Sequence, residues 1–307
     1  MKCIINAIFV VSIMAILAGC GGGGETTAPA LTVAGVAAAG SPLVGTVTLK
    51  DSSDISKQLS TSIGVRGSFS FNVSGLTAPF LVQAKGTASG NNYTLYSLAT
   101  NSGNCNINPL THLAVTMANG GQDPASVFGE PTATQIATIS AALPNTVANI
   151  QDKLAPIFSR VEASPVNIIT DQMTAYGPGI DLLFEMVSIA VVNGNVSMVN
   201  KADGGIILPS TSIAGGVLSG NPNLSIMSPV FTINGHVNVG LHGRVSAWSK
   251  VLFPTSTPVT SVLPDAQGNY KLLVPNGAYV VCVAASVEVS KCVDVTVSNA
   301  NVTGINF

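Results

Sequence analysis

The same pattern of short strands and glycines occurs twice, once near each end of the chain. Thr32-Val-Ala-Gly35 corresponds to Thr232-Ile-Asn-Gly235, and later matches keep the same spacing to within a residue or two. These later matches are Gly40 with Gly240, Gly45-Thr-Val-Thr48 with Gly243-Arg-Val-Ser246, Gly67-Ser-Phe-Ser-Phe-Asn-Val73 with Gly268-Asn-Tyr-Lys-Leu-Leu-Val274, and Phe80-Leu-Val-Gln-Ala84 with Tyr279-Val-Val-Cys-Val283. Such agreement favours internal duplication over chance. Short alternating runs between turn residues are typical of antiparallel sandwiches, so we predict two small Greek-key β-sandwiches, at residues 31–104 and 230–307.

The repeated glycines have a physical role in this prediction. Gly67 and Gly268 each precede a strand at a turn, where a positive φ angle is often required. The alternating apolar residues that follow, Phe69 and Phe71 in the first copy, would face one side of a sheet. We therefore expect these residues to build the core between two packed sheets.

The second copy carries a more specific pattern between Pro264 and Val283. It contains Asp265-Ala-Gln-Gly-Asn-Tyr270, a strand, a turn with Gly277, and then Tyr279-Val-Val-Cys-Val283. This pattern resembles the carboxypeptidase regulatory-like (transthyretin-like) β-sandwich domain over most of residues 230–307. Residues 31–100 fit less well, because they lack the acidic turn. The resemblance implies a sandwich fold and a non-catalytic accessory role, without naming a ligand.

A mainly helical domain with one β-hairpin is predicted at residues 105–204, between the sandwiches, which makes the chain an α+β multidomain protein. Asn108-Pro109 and Asp123-Pro124 are helix start signals, and Thr132 with Gln135 forms a candidate capping box. A further short helix is predicted from Gly179 to Met186. Asn193-Gly194 is the strongest hairpin signal in the chain.

An apolar stripe with steps of three and four residues runs through this domain. Its members are Ile136, Ile139, Leu143, Val147, Ile150, Leu154, Ile157 and Val161. Pro144 and Pro156 interrupt it, and we expect each to start a new helix or to kink one. The stripe favours core packing, with a partner-binding face as the alternative. Residues 205–229 are rich in Gly, Pro, Ser and Asn, and are predicted to form a linker with a strand at Ile206 to Leu208.

The first thirty residues have the layout of an export signal. A basic start at Met1-Lys2 precedes an apolar run that is short for a permanent membrane helix, and Leu17-Ala-Gly-Cys20 resembles the bacterial lipobox. The resemblance implies that residues 1–19 are cleaved and that Cys20 carries lipids, with residues 20–30 as a Gly-rich tether. Because Gly21 is not acidic, we expect the outer membrane. The alternative is ordinary signal cleavage near a chance cysteine.

The composition disfavours nucleic acid as a partner, and the cysteines are consistent with an oxidising compartment. Charged residues make up 8 % of the chain, against about 25 % in typical domains. Scattered Lys and Arg without a basic patch disfavour nucleic acid. In an oxidising compartment, Cys282 and Cys292 on successive strands are predicted to form a disulfide, which leaves Cys105 as a buried thiol.

The sequence lacks the motifs that the common enzyme classes need. There is no His-Glu-x-x-His, Gly-x-Ser-x-Gly elbow or P-loop, and His112, His236 and His242 do not form a ligand set. The acidic pairs Asp51/Asp54, Asp181/Glu185 and Glu288/Asp294 have local explanations, such as a helix first turn for Asp181 and a polar loop or weak calcium site for Asp51/Asp54. We therefore expect no catalytic activity, no metal and no cofactor.

Three functional hypotheses remain. The first is a non-catalytic lipoprotein, held at the membrane by its anchor, that serves the cell envelope as a scaffold, spacer or adhesion module for an unknown envelope protein. The second is a surface protein that binds a carbohydrate or another polymer, with Trp248 as a possible stacking platform; the alternative for Trp248 is a half-buried strand residue that closes the sandwich. The third is an undetected hydrolase in the helical domain, which a cleft with convergent acids would favour.

Overall fold

The computed structural model describes residues 30–163, 166–238, 243–255, 258–284 and 291–307. Its described part is a β-rich multidomain protein with few helices. The predicted signal segment, Cys20 and the tether up to residue 29 lie outside the described residues, as do His242 and Glu288. No helix within the described part is both long enough and apolar enough to cross a membrane.

The first unit is a pair of sandwich-like sheets built from seven strands. They are β1 (Thr32–Val36), β2 (Val44–Lys50), β3 (Gln58–Ser62), β4 (Ser68–Asn72), β5 (Phe80–Ala88), β6 (Asn91–Ala99) and β7 (Gly103–Asn104). One sheet has the order β4-β1-β7 and the other the order β3-β2-β5-β6. The predicted alternation is present, since Phe69 and Phe71 on β4 are buried between exposed neighbours.

The middle of the chain contains the described helices and a small antiparallel sheet. The helices are α1 (Pro109–Ala118), α2 (Pro124–Gly129), α3 (Ala133–Arg160) and α4 (Ile180–Met186), and the strands are β8 (Val187–Val192), β9 (Asn195–Asn200) and β10 (Ile206–Ser212), in the order β10-β9-β8. Asn108 caps α1, with its side chain accepting hydrogen bonds from the backbone N–H groups of Leu110 at 3.0 Å and Thr111 at 2.9 Å. Asn193 and Gly194 join β8 to β9, both with positive φ as a tight hairpin turn requires. These start and turn signals are confirmed.

Neither Pro144 nor Pro156 starts a new helix, which excludes one of the two predicted outcomes at these prolines. Helix α3 is continuous from Ala133 to Arg160 and contains both Pro144 and Pro156. A proline inside a helix removes one hydrogen bond and crowds the preceding turn. Here the apolar stripe continues across both prolines on one buried face, so burial outweighs the local loss. The interpretation of the stripe as core is confirmed, because all its members are buried.

Residues 205–229 contain more ordered structure than the predicted linker with its short strand. Strand β10 extends from Ile206 to Ser212 and pairs with β9. Beyond it, Ile213, Leu218 and Met227 are buried in the same hydrophobic core as α1 and α3. Turns at Gly215 and around Ser225 thus lie between buried apolar residues, and composition alone does not distinguish such a segment from a tether.

The last unit repeats the strand order of the first. Its strands are β11 (Val230–His236), β12 (Val245–Ser249), β13 (Thr260–Val262), β14 (Asn269–Pro275), β15 (Gly277–Val283) and β16 (Lys291–Val297), with the sheet orders β11-β14 and β13-β12-β15-β16. Strand β11 pairs with β14 as β1 pairs with β4, and a parallel bridge from Ile233 to Val302 matches the parallel pairing of β1 with β7. The order β13-β12-β15-β16 matches β3-β2-β5-β6 strand for strand.

The turn glycines also match between the two units. Gly67 has a φ of +80° and Gly268 has a φ of +86°. A side chain at Gly67 would collide with the carbonyl oxygen of Ala37, and one at Gly268 would collide with that of Val237. Topology and backbone contacts therefore agree with the internal duplication that the sequence predicts.

Two hydrophobic cores hold the described residues together. The larger core joins the first unit to the helices and the β8–β10 sheet, and it also includes Leu273 of β14. The smaller core lies inside the last unit, around Ile233, Leu272 and Val281. Alternation along β14 places Leu272 in the smaller core and Leu273 in the larger one, so this strand contacts both.

Candidate functional site

The predicted disulfide between Cys282 and Cys292 is confirmed. The two residues lie directly opposite each other on β15 and β16. Cys105 is a free, fully buried thiol, 3.4 Å from Ser97 Oγ, and burial raises the pKa of Cys105 to about 12. A thiol that holds its proton this firmly is a poor nucleophile at neutral pH. The cysteines in the described part are therefore structural.

Trp248 lies on β12, opposite Val280 of β15. Its neighbours Val245 and Ala247 face the smaller core, so alternation puts Trp248 on the outer face of that sheet. The ring is half-buried and meets Phe253 edge to face, with the ring centres 5.7 Å apart. Trp248 is thus the half-buried strand residue of the alternative prediction, but it contacts its own chain on the outer face and does not close the sandwich.

Asp51 is a loop-organising residue, which corrects the suggestion of a weak calcium site at Asp51 and Asp54. The Asp51 carboxylate accepts hydrogen bonds from Ser53 Oγ at 2.7 Å, from Lys57 N at 2.7 Å and from Thr77 N at 3.1 Å. Burial alone would raise the pKa of Asp51, but these hydrogen bonds hold it below its usual value. Both carboxylate oxygens already have protein donors.

On the surface of the last unit, Asp294 pairs with Lys250 at 2.6 Å.

The described histidines do not converge. His112 on α1 stacks near the ring of Tyr96, and burial lowers its pKa although the charge of Asp123 opposes that shift. His236 lies on β11, with Nε2 2.9 Å from the backbone oxygen of Gln267. Among the described residues, no group of three or more His, Cys, Asp or Glu side chains could hold a metal ion.

Asp181 and Glu185 on α4 are the titratable residues whose environment the sequence analysis missed. Asp181 lies in the first turn of the helix as predicted, but only 1 % of it is exposed. Burial raises the pKa of Asp181 well above its usual value, and the neighbouring Glu185 adds to this rise. Burial also raises the pKa of Glu185 to about 7, while Lys201 opposes the rise. Every other residue of α4 is apolar, and the spacing of four residues puts Asp181 and Glu185 on one face of a helix that is otherwise buried, which is the signal that could have revealed their environment.

Glu185 lines a groove of about 860 Å³ where three parts of the protein meet. Asn91, Asn92 and Tyr93 at the start of β6 form one wall. The second wall is formed by Glu185 on α4 and by Lys201, which directly follows β9. The third wall belongs to the last unit and includes Ser249 and Leu252.

Glu185 packs against the first unit at Gly40. A side chain at Gly40 would collide with Glu185 Oε1, so the bare glycine makes room for this carboxyl. Oε1 is buried and has no hydrogen-bond partner within the part of the chain that the structure describes. Burial raises the pKa of Tyr93, and the charge of Glu185 adds to that rise. Lys201 Nζ donates to the backbone oxygen of Phe184 at 2.5 Å.

The groove combines hydrogen-bonding groups with nearly balanced charge. It contains a carboxyl, an ammonium, a phenol, amides and hydroxyls from described residues. A glycosidase needs two carboxyl groups facing the same cleft. Glu185 is the acidic residue among the described lining, since Asp181 is fully covered behind it. This arrangement suits the recognition of a polar ligand better than acid–base hydrolysis.

Comparisons with known proteins do not assign a family. No family model and no curated protein matches the sequence. Among solved structures, the Bacillus anthracis TIE protein aligns over 90 % of this chain and 50 % of its own length, at 6 % identity and a TM-score of 0.21. The chain thus spans half the length of that protein. The tip fimbrial protein Mfa3 from Porphyromonas gingivalis, with a C-terminal truncation, aligns over 88 % of this chain and 83 % of its own length, at 10 % identity and a TM-score of 0.18. These scores carry no argument about fold or function, and the comparisons lend no support to the carboxypeptidase regulatory-like resemblance.

Proposed function

We propose that this chain is a lipid-anchored, non-catalytic protein of the bacterial cell envelope that acts as a scaffold, spacer or adhesion module. The observation that carries the proposal is Leu17-Ala-Gly-Cys20 at the end of a short apolar run, followed by four glycines. Ala30, where the described part begins, lies ten positions after Cys20. Such a tether spans at most about 35 Å, so the first unit would lie close to the membrane surface.

The chemistry of the folded part supports export. The Cys282–Cys292 disulfide is of a kind that forms and persists in oxidising compartments such as the periplasm or the cell surface. The low fraction of charged residues leaves a surface of hydroxyls and amides, which has little long-range field for steering charged partners. Both features suit a protein displayed on a tether.

The domain arrangement in this proposal is two Greek-key sandwiches that flank a mainly helical domain. Contacts between the last unit and the rest of the chain support its use as a spacer. Leu273 of β14 is buried in the larger core. Lys271 Nζ lies 2.6 Å from Glu162 Oε1, next to the C-terminus of α3. Load applied to the last unit would therefore reach the helices through apolar and ionic contacts.

Replacing the proposed lipidated cysteine tests the anchor. In cells fed labelled palmitate, we expect Cys20→Ala to lose the label and either to leave the membrane fraction or to retain an uncut signal. Cys3→Ala is the matched control, because Cys3 lies inside the predicted signal and should not affect anchoring. Unchanged label and membrane association in Cys20→Ala would refute the proposal.

The membrane of residence has its own test. The lipobox resemblance implies that an acidic residue after the cysteine retains a lipoprotein in the inner membrane. We therefore expect Gly21→Asp to move the protein to the inner-membrane fraction of a density gradient, while Gly21→Asn leaves it in the outer-membrane fraction. If the wild type already fractionates with the inner membrane, the outer-membrane proposal is wrong while the anchor stands.

A further inference from the structure

We propose that the groove beside Glu185 is a binding site for a neutral, hydroxyl-rich ligand of the oligosaccharide type. The proposal rests on the groove itself and does not depend on the lipid anchor. It also moves the expected sugar-binding position away from Trp248.

The size and position of the groove suit a ligand. Its volume of about 860 Å³ lies within the range of about 300–1,000 Å³ that is typical of small-molecule sites. The groove forms where the β5–β6 turn, the end of α4 and the loop after β12 come together. Ligand sites favour such junctions because several elements can each present a few polar groups.

One oxygen of the Glu185 carboxyl lacks a hydrogen-bond donor. The side chain lines the groove, yet its Oε1 is buried and has no hydrogen-bond partner among the described residues. A buried polar group without a partner is costly, and such groups in native proteins usually have a reason. Oε1 itself lies against Gly40, where protonation of the carboxyl reduces the cost of burying it, and the part of Glu185 that lines the groove can meet a ligand hydroxyl. The raised pKa of Glu185 allows the protonated group to donate in turn, as sugar hydroxyls and ring oxygens require.

The other groups select against charged ligands. Lys201 offsets Glu185, and the remaining polar lining near them consists of uncharged groups such as Asn91, Asn92 and Ser249. One lysine is too little positive charge for a nucleotide or another polyanion, and one half-neutral carboxyl is too little negative charge for a polycation. Tyr93 and Leu252 add apolar surface that can pack against the C–H face of a sugar ring.

Trp248 provides an internal control for the position of the site. It is not part of the described groove lining, and its ring contacts Phe253. If sugar binding used an exposed aromatic platform on the last unit, Trp248 would be essential. If the groove is the site, Trp248 is dispensable and Glu185 is not.

The test is a calorimetric titration of the purified full-length protein with cellohexaose, maltohexaose and chitohexaose. We expect at least one hexasaccharide to bind with a Kd of about 1 mM or tighter. Glu185→Leu keeps the size of the side chain without its hydrogen bonds, and should weaken binding by about tenfold or more. Glu185→Gln keeps donor and acceptor groups, and should stay within about threefold of wild type. Trp248→Phe should bind like wild type.

A second groove variant separates lost binding from lost folding. Asn92 is exposed, so Asn92→Ala should leave the thermal unfolding curve unchanged while it weakens binding. Three results would overturn the proposal: none of the three hexasaccharides binds the wild type, Glu185→Leu and Asn92→Ala both bind like wild type, or Trp248→Phe loses binding that Glu185→Leu keeps.

Discussion

The two β-units have the same strand order, but their corresponding edge strands, β6 in the first unit and β16 in the last, differ in how they are covered. In the first unit, the second half of β6 from Leu95 to Ala99 is entirely buried, because α1 packs against it and Thr111 Oγ1 donates to the backbone oxygen of Tyr96 at 3.0 Å. In the last unit, the first half of the equivalent strand β16 is exposed from Lys291 to Asp294, and the disulfide to β15 lies there. A sheet face that lacks a helix can thus be held by a covalent link instead.

The largest expected effect comes from the helix that covers the first unit. Leu113 on α1 is fully buried, and Leu113→Ala should lower the free energy of unfolding by about 2–5 kcal/mol. The matched control is Val293→Ala on β16, which is 40 % exposed and should cost less than about 1 kcal/mol. Guanidinium unfolding curves of the two variants provide the comparison. Equal losses would mean that α1 is not what stabilises the first unit.

The disulfide is the corresponding test in the last unit. Its two cysteines are ten residues apart, and replacing both by Ala should cost about 2–4 kcal/mol. Hydrogen exchange should accelerate in β15 and β16 while β5 stays protected, because the smaller core is separate from the larger one. A reducing agent should reproduce this result in the wild type and add nothing in the double variant. Acceleration in β5 as well would contradict the separation of the two cores.

Local signals account for the parts of this fold that could be predicted from sequence. Helix caps such as Asn108, the Asn193-Gly194 turn and the duplicated glycines depend on contacts within a few residues or on one backbone approach. The continuity of α3 and the burial of residues 205–229 depend on distant packing, which outweighs their prolines and glycines.

The groove could not be predicted for the same reason. Its walls come from β6, α4 and the loop after β12, which are far apart in sequence. An acidic residue in a helix first turn is normally solvated, so the sequence predicts only that Asp181 interacts with the helix dipole. The covered position of Glu185 follows from the first unit and the C-terminal end of α4 meeting at Gly40, while Asp181 accepts backbone hydrogen bonds from Tyr176, Gly40 and Gly177. The Cys282–Cys292 pair was predictable because its partners lie on successive strands.

The carboxyls of Asp181 and Glu185 on α4 should make the free energy of unfolding depend on pH. The pKa of Glu185 is raised from 4.5 to about 7, so its proton stabilises the folded state. This contribution is fully present below pH 4.5 and is lost as the pH rises through 7; it is on the order of 3 kcal/mol. Asp181 acts in the same direction, while Lys201 and Tyr93 are the other titratable groups that interact with Glu185.

Urea unfolding at several pH values measures this effect. The difference in stability between wild type and Glu185→Gln should change in favour of the variant as the pH rises from about 4.5 to 7. The control is Asp294→Asn in the last unit, which replaces a carboxylate by an amide at an exposed surface pair with Lys250, away from the groove. A constant difference between wild type and Glu185→Gln would show that Glu185 is solvated in solution.

The smallest expected effect concerns the junction between the two units. Lys271 and Glu162 form an ion pair whose side chains are about half exposed, so a double-mutant cycle with Lys271→Ala and Glu162→Ala should measure about 0.2–1 kcal/mol, decreasing with added salt. Leu273, two residues along β14, is 3 % exposed in the larger core, and Leu273→Ala should cost several times more. If the ion pair instead gave the larger value, the last unit would be held to the helices mainly by charge. Since water already solvates both ions, we expect the apolar contact to hold the junction and the ion pair to orient it.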